Sequence, residues 1–163
     1  DLARSSLGEA RRSVMALRPV SLCDGTLLKA LDGLLKQMAD GTNLRAELRI
    51  EGEARPIVPA WEETLLRITQ ESLTNTIKHS GAQSFRVVLS FHPTEIKLHL
   101  VDDGRGFEPG SETDGFGLIG MRERVMEIGG QFFLRSSPGA GVEILVTLNA
   151  MENPGPHLSH GQR

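Results

Sequence analysis

The residues best placed to do chemistry lie in three short stretches. The first is Arg67-Ile68-Thr69-Gln70-Glu71-Ser72-Leu73-Thr74-Asn75-Thr76-Ile77-Lys78-His79. Wound as one amphipathic helix, it places Arg67, Glu71, Thr74, Asn75 and Lys78 within an arc of roughly 100°. Trp61, Leu65, Leu66, Ile68, Leu73 and Ile77 spread over most of the remaining circumference. A helix buried on one side and carrying a carboxylate and a carboxamide four residues apart on the other suits a metal–phosphate site. Asn75 offers a neutral carbonyl oxygen to Mg2+, and Lys78 offers positive charge to phosphates. For this helix alone, a solvated face with Arg67–Glu71 and Glu71–Lys78 ion pairs is the simpler reading. The second stretch, Asp102-x-Gly104-x-Gly106, sits where a buried strand ends. A carboxylate fixed there accepts a hydrogen bond from an exocyclic amine, and the glycines let backbone approach a flat ring. The same pattern describes a plain turn. A calcium loop needs more oxygen ligands at close spacing, and Arg105 sits badly in one. The third, Gly115-Phe116-Gly117-Leu118, precedes a helix whose free amides and positive dipole end favour phosphate. It has no Gly-Lys-Ser/Thr ending and follows no strand, so it is neither a Walker A loop nor a dinucleotide fingerprint. A flexible hinge accounts for it equally well.

The elements that position these stretches follow from periodicity. Ala3, Leu7, Ala10, Val14 and Leu17 form a narrow helical seam that Pro19 stops. Asp24 is placed to cap a second helix with Leu27, Leu28, Leu31, Leu34, Leu35 and Met38 on its apolar face, ended by Gly41. Leu44 to Ile50 alternates as a strand. Phe85 to Phe91 and Ile96 to Leu100 alternate around the turn His92-Pro93-Thr94, predicting a hairpin. His92 reads as a turn residue and His99 as an exposed residue on the polar face. The glycine-rich stretch from Asp103 to Gly117 is long for a loop, which points to function. A helix follows with Leu118, Met121, Val125 and Ile128 on one face, and then two strands, Phe132 to Arg135 and Val142 to Leu148. Four of the five predicted strands fall in consecutive pairs, which excludes a doubly wound parallel sheet. The expectation is an α+β two-layer sandwich: a mixed sheet of about five strands with helices on one face.

Bulk composition narrows the function classes. The chain has 163 residues, 39% hydrophobic and 24% charged, with a net charge of −3. These are the values of a globular domain plus a small appendage. The charge balance gives no sign of nucleic-acid binding or direct membrane contact. Lone Cys23 leaves no internal disulfide and no multi-cysteine metal site, in keeping with a reducing, cytoplasmic setting. The residues after Met151, with His157 and His160, read as a disordered tail. The chain starts at Asp1 rather than Met, so a fragment of a longer protein is expected.

In their order along the chain, the three stretches resemble the ATP-binding domain (the Bergerat-type fold) shared by sensor histidine kinases, DNA gyrase, Hsp90 and MutL. The likeness is greatest to histidine kinases of the nitrate-sensor class. It is carried by Gln70-Glu71-Ser72-Leu73-Thr74-Asn75 with Lys78-His79-Ser80-Gly81-Ala82, by Asp102-Asp103-Gly104-Arg105-Gly106-Phe107, and by Gly115 to Val125 with Gly129-Gly130. Upstream, Glu9 to Val14 with Leu17-Arg18-Pro19 resembles the end of that class's dimerisation helix. The implied division is residues 1–19 as the end of that helix, 20–149 as the ATP-binding catalytic domain and 150–163 as the tail.

The resemblance also implies roles. Asp102 binds the adenine amino group. Asn75 coordinates Mg2+ between the phosphates, helped by Glu71, whose part lies between general base and support of the metal from behind its direct ligands. Lys78 and His79 face the phosphates, Gly104 and Gly106 shape the base pocket, and Gly115 and Gly117, beside Leu118, hinge a lid over the triphosphate of ATP. The implied partner is a response regulator with a helix-turn-helix output domain. The whole protein is implied to be a homodimer and the fragment a monomer, and the resemblance allows a membrane anchor in an upstream part. Two departures stand out. Val142 occupies a position after the last turn where the family usually has Thr. The family's acceptor histidine belongs to an upstream dimerisation helix, and none of the five histidines here has its His-Asp/Glu context. A serine kinase that binds a sigma factor shares the fold, but the Leu2–Leu17 seam argues against it. A module that only senses nucleotide also shares it, but intact Glu71, Asn75 and Asp102 argue against that.

Overall fold

The computed structural model describes residues 27–110 and 116–151. The N-terminal seam, Cys23, the Asp24 cap, Gly115 and the tail with His157 and His160 lie outside the described residues. The elements are α1 (Leu27–Ala39), β1 (Arg45–Glu51), α2 (Pro59–Asn75), a π-helical turn (Thr76–Ser80), β2 (Ser84–Phe91), β3 (Glu95–Asp102), α3 (Phe116–Glu127), β4 (Gln131–Ser136) and β5 (Val142–Asn149). The five strands form one sheet in the order β1-β2-β3-β5-β4. β1 pairs parallel to β2, and every other neighbour is antiparallel. The expected mixed sheet and two-layer arrangement are therefore present.

Alternation decides which face carries the helices. Phe85, Val87, Leu89 and Phe91 of β2, Ile96, Leu98 and Leu100 of β3, and Ile144, Val146 and Leu148 of β5 are all buried. They join Leu31, Leu34 and Leu35 of α1, Leu65, Ile68 and Leu73 of α2, and Met121 and Val125 of α3 in one core. Burying each such side chain contributes about 1.5–3 kcal/mol before the entropy of ordering is set against it. β1 is an edge strand, so its alternation gives only partial burial: Ala46 and Leu48 are half-buried and Ile50 is exposed. On the opposite face, His99 is half-buried rather than free, with Nε2 2.7 Å from Glu143 Oε1. Arg135 pairs with the other oxygen of Glu143. The hydrogen bond from His99, followed by that from Arg135, holds the Glu143 carboxyl below its ordinary range against the opposing effect of desolvation.

α2 ends one turn earlier than a single helix through His79 requires. Its buried face comprises Trp61, Thr64, Leu65, Leu66, Ile68, Thr69, Ser72 and Leu73. After Asn75 the chain winds into the wider π turn and stops at Gly81, whose φ of 63° is left-handed. The arc placing Lys78 with Arg67 and Glu71 assumed α-helical winding throughout and does not hold past Asn75. The Arg67–Glu71 and Glu71–Lys78 pairs of the alternative, solvated-face reading are absent among the described residues. Arg67 Nε bonds Glu63 one turn earlier, at 3.2 Å.

Asp103 closes the near end of the β2–β3 pair. Its Oδ1 accepts the Gln83 and Ser84 N–H groups at 2.8 and 2.9 Å, and its Oδ2 accepts the Ser84 hydroxyl at 2.8 Å. The Ser84 amide is the largest cause that holds this carboxyl below its ordinary value. A depressed folded-state pKa gives stability that is present above the unfolded value and lost as pH falls through the folded one. Asp103→Ala is therefore expected to be less stable than wild type at neutral pH, with the gap closing below about pH 4. Denaturant unfolding of both proteins across that range measures it.

Candidate functional site

The π turn is built on hydroxyls spaced four apart. Thr76 Oγ1 lies 3.0 Å from the Ser72 carbonyl, and Ser80 Oγ donates to the Thr76 carbonyl at 2.6 Å. Such back-bonding competes with regular helix hydrogen bonds, and here it coincides with the change of winding. Thr76 and Ser80 are buried, whereas Lys78 and His79 are exposed.

Asp102, the last residue of β3, is 5% exposed. Its Oδ1 accepts the Gly104 N–H at 2.9 Å and the Val142 N–H at 3.3 Å, and Thr76 Oγ1 lies 3.0 Å from its Oδ2. One buried carboxylate thus ties together the π turn, the loop after β3 and the start of β5. An ionised carboxylate has about four lone-pair positions, so one acceptor position remains for a ligand donor.

The loop after β3 lies directly on the π turn. A Cβ at Gly104 would come 2.5 Å from Ser80 Cβ and 2.6 Å from its carbonyl oxygen, so only glycine permits the approach. Arg105 donates its amide to Ser80 O at 2.8 Å and its Nε to His79 O at 2.5 Å. Gly106 presses against the β4–β5 turn, where a Cβ would overlap the Ser137 carbonyl. Phe107 N–H donates to Ser136 Oγ at 2.9 Å, and that hydroxyl donates to Gly141 O at 2.8 Å.

α3 begins at Phe116, so Gly117 and Leu118 belong to its first turn rather than to the loop before it. Both are half-buried. The Glu71 carboxylate lies against this turn: a Cβ at Gly117 would stand 2.5 Å from Glu71 Oε1. Glu71 and Asn75, one turn apart on α2, are half-buried. Five residues separate Glu71 from Thr76, about 7.5 Å along a helix axis. One helix therefore touches the first turn of α3 at Glu71 and the buried carboxylate at Thr76.

Of the site residues predicted from sequence, Asp102 and Gly104 meet the π turn that carries Lys78 and His79, Gly106 lies against the β4–β5 turn instead, and Glu71 meets Gly117. Sequence reasoning missed Thr76, Ser80, Ser136 and Asp103, which hold these parts together. The Ser72-x3-Thr76-x3-Ser80 spacing was the available signal for the first two. Among the described residues, no three His, Cys, Asp or Glu gather to hold a metal alone. The donor set of Glu71 and Asn75 fits Mg2+ only when phosphate oxygens and waters complete its shell, which is how Mg2+ is commonly held. No helix of the described residues is long and apolar enough to cross a membrane.

A family model described as histidine kinase-, DNA gyrase B- and HSP90-like ATPase matches residues 61–152. The chain is 32% identical over 148 residues to the signal transduction histidine-protein kinase/phosphatase DegS of Brevibacillus brevis, covering 90% of this chain and 38% of that protein. It is 36% identical over 137 residues to UhpB of Salmonella typhimurium, likewise a signal transduction histidine-protein kinase/phosphatase, covering 82% of this chain and 27% of that protein. The chain thus spans well under half of either relative. Among solved structures, the Acinetobacter baumannii histidine kinase AdeS superposes with a TM-score of 0.68 at 17% identity, over 93% of this chain and 85% of that one. The catalytic domain of histidine kinase ThkA gives 0.61 at 15% identity, over 76% of this chain and 90% of that one. At such identities the structural likeness speaks for the fold.

Two glycine substitutions separate backbone contact from side-chain contact. Gly104→Ala drives a methyl into the Ser80 backbone and is expected to cost about 1–3 kcal/mol. Gly117→Ala meets only the mobile end of Glu71 and gains helix propensity, so its stability is expected to match or exceed wild type, by at most about 1 kcal/mol. Thermal unfolding of the two variants provides the comparison.

Proposed function

The chain belongs to the histidine kinase-, DNA gyrase B- and HSP90-like ATPase family as an ATP-binding catalytic domain of the histidine kinase type, and on that premise we propose how its residues divide the work. Asp102 receives the adenine amino group at its remaining acceptor position. Gly104 and Gly106 keep the loop beside it free of side chains, so that backbone forms the wall against a flat base. Asn75 and Glu71 hold Mg2+ together with the phosphate oxygens. Lys78 and His79, exposed on the π turn, supply positive charge towards the phosphates. Gly115, Gly117 and Leu118 form the hinge of a lid over the triphosphate, with α3 directing its free amides at the anion.

The supporting observation is the buried carboxylate of Asp102, compensated by two amides and a hydroxyl, with one acceptor position unfilled. Mg2+ bound here supplies charge neutralisation for the departing diphosphate. The reaction we propose breaks the bond between the γ-phosphorus and the β–γ bridging oxygen and forms a P–N bond to a histidine on a dimerisation helix. ADP leaves with the electron pair of the broken bond. Glu71 is within the site to orient the acceptor imidazole or to hold the metal. The seam within residues 1–19 belongs, in this reading, to the dimerisation element of a homodimeric parent. Relay then goes to a response regulator with a helix-turn-helix output domain.

Titration calorimetry is expected to show Mg-ATP binding in the roughly micromolar to millimolar range, since a lid must be ordered on binding. GTP binding equal to that of ATP would remove the adenine role of Asp102. Asn75→Ala is expected to abolish the Mg2+ dependence of binding at a stability cost within about 1 kcal/mol. A variant that unfolds instead makes Asn75 structural. Given a separate helix with a His-Asp/Glu pair and radiolabelled ATP, the chain should transfer label slowly, because docking is bimolecular. That label should be lost in acid, and acid-stable label contradicts histidine as the acceptor.

A further inference from the structure

Asp102 has to present its one remaining acceptor position in a fixed direction to discriminate between bases. Both amides that bond it, from Gly104 and Val142, go to the same oxygen, Oδ1. Oδ2 has Thr76 as its partner, and Thr76 is the only side-chain donor to this carboxylate among the described residues. On the β5 side, Val142 has no hydroxyl to share the task and gives only its amide, at the longer distance of 3.3 Å. A carboxyl group turns readily about its last side-chain bond, so two bonds to Oδ1 leave the direction of Oδ2 less constrained than bonds to both oxygens.

Thr76 has a single hydroxyl proton and two acceptors at equal range, the Ser72 carbonyl and Asp102 Oδ2, each at 3.0 Å. The Ser72 carbonyl already accepts the Thr76 amide at the end of α2. A hydrogen bond to an ionised acceptor is roughly twice as strong as one between neutral groups, so the proton goes to Asp102. Thr76 is 2% exposed, and water has little access to replace it.

We propose that Thr76 is a positioning residue that aims Asp102 Oδ2 at an exocyclic amine and so sets the site's preference for an amino-bearing purine. This rests on the nucleotide reading of the site given above. The same threonine follows Asn75 directly, so base recognition and the proposed metal-holding side chain are fixed by adjacent residues of one turn.

The test compares ATP with purine riboside triphosphate, which lacks only the 6-amino group, by calorimetric titration in Mg2+ against wild type, T76V and T76S. T76V is expected to weaken ATP binding about tenfold and to leave purine riboside triphosphate binding unchanged. T76S keeps the hydroxyl and is expected to retain the wild-type preference. A loss shared equally by both nucleotides makes Thr76 merely structural and overturns the proposal, as does T76V binding ATP like wild type. If T76V does not fold, T76A against T76S reads the same contrast. Wild type binding both nucleotides alike overturns the amine-recognising role of Asp102, and wild type binding neither overturns the nucleotide reading itself. A T76V-specific failure leaves both of those standing.

Discussion

A carboxylate taken out of water is costly unless donors replace the lost hydration, and the compensation of Asp102 organises much of what surrounds it. Gly104 and Val142 supply amides, and Thr76 supplies a hydroxyl. These donors come from the loop after β3, the start of β5 and the π turn after α2, so satisfying one side chain fixes three backbone segments. The antiparallel pairing of β3 with β5 runs up to Asp102 and Val142 themselves, which are register partners. The sheet thereby delivers the second amide, and the π turn delivers the hydroxyl from the helical layer. Loss of any donor leaves a buried carboxylate less well compensated.

The layer above the sheet and the loops at its end meet through close approach at glycines, to backbone at Gly104 and Gly106 and to a side chain at Gly117. Gly104 lies on Ser80, Gly106 on the β4–β5 turn, and Gly117 on the Glu71 carboxylate. Arg105 reinforces the first of these with two bonds to consecutive carbonyls of the π turn. Asp103, adjacent to the buried carboxylate of Asp102, holds the entry of β2. Two neighbouring aspartates thus serve different ends because a strand sends successive side chains to opposite faces.

The sheet and its helical face were legible because their periods are strong: β2, β3 and β5 alternate cleanly, and β1 is the exception only because an edge strand lacks a second neighbour to complete its burial. The identity of Asp102, Gly104 and Gly106 as a unit was legible from a carboxylate at a strand end followed by glycines. The π turn was not. A helical wheel assumes constant winding, and nothing in the order Thr76-Ile77-Lys78-His79-Ser80 announces a wider turn except hydroxyls at four-residue spacing. The ion pairs that a solvated face would give Glu71 are absent among the described residues as well. Arg67 has Glu63 available one turn earlier, and Glu71 packs against the start of α3, a contact between residues forty-six apart. Thr76 and Ser136 escaped for the same reason: each acts through a partner distant in sequence.

That distance has a kinetic side. The pieces joined at Asp102 are residues 76, 102, 104 and 142, and the last arrives with the final strand of the sheet. β5 sits between β3 and β4, so the Asp102–Val142 bond is made only when β5 has paired with β3. Without β5 in place, Asp102 has no second amide and the Gly106 loop has no β4–β5 floor. The proposed binding surface therefore depends on a contact of high sequence separation, whose loop-closure entropy slows formation. A ligand selective for that surface binds only molecules in which β5 is in place, and so stabilises them.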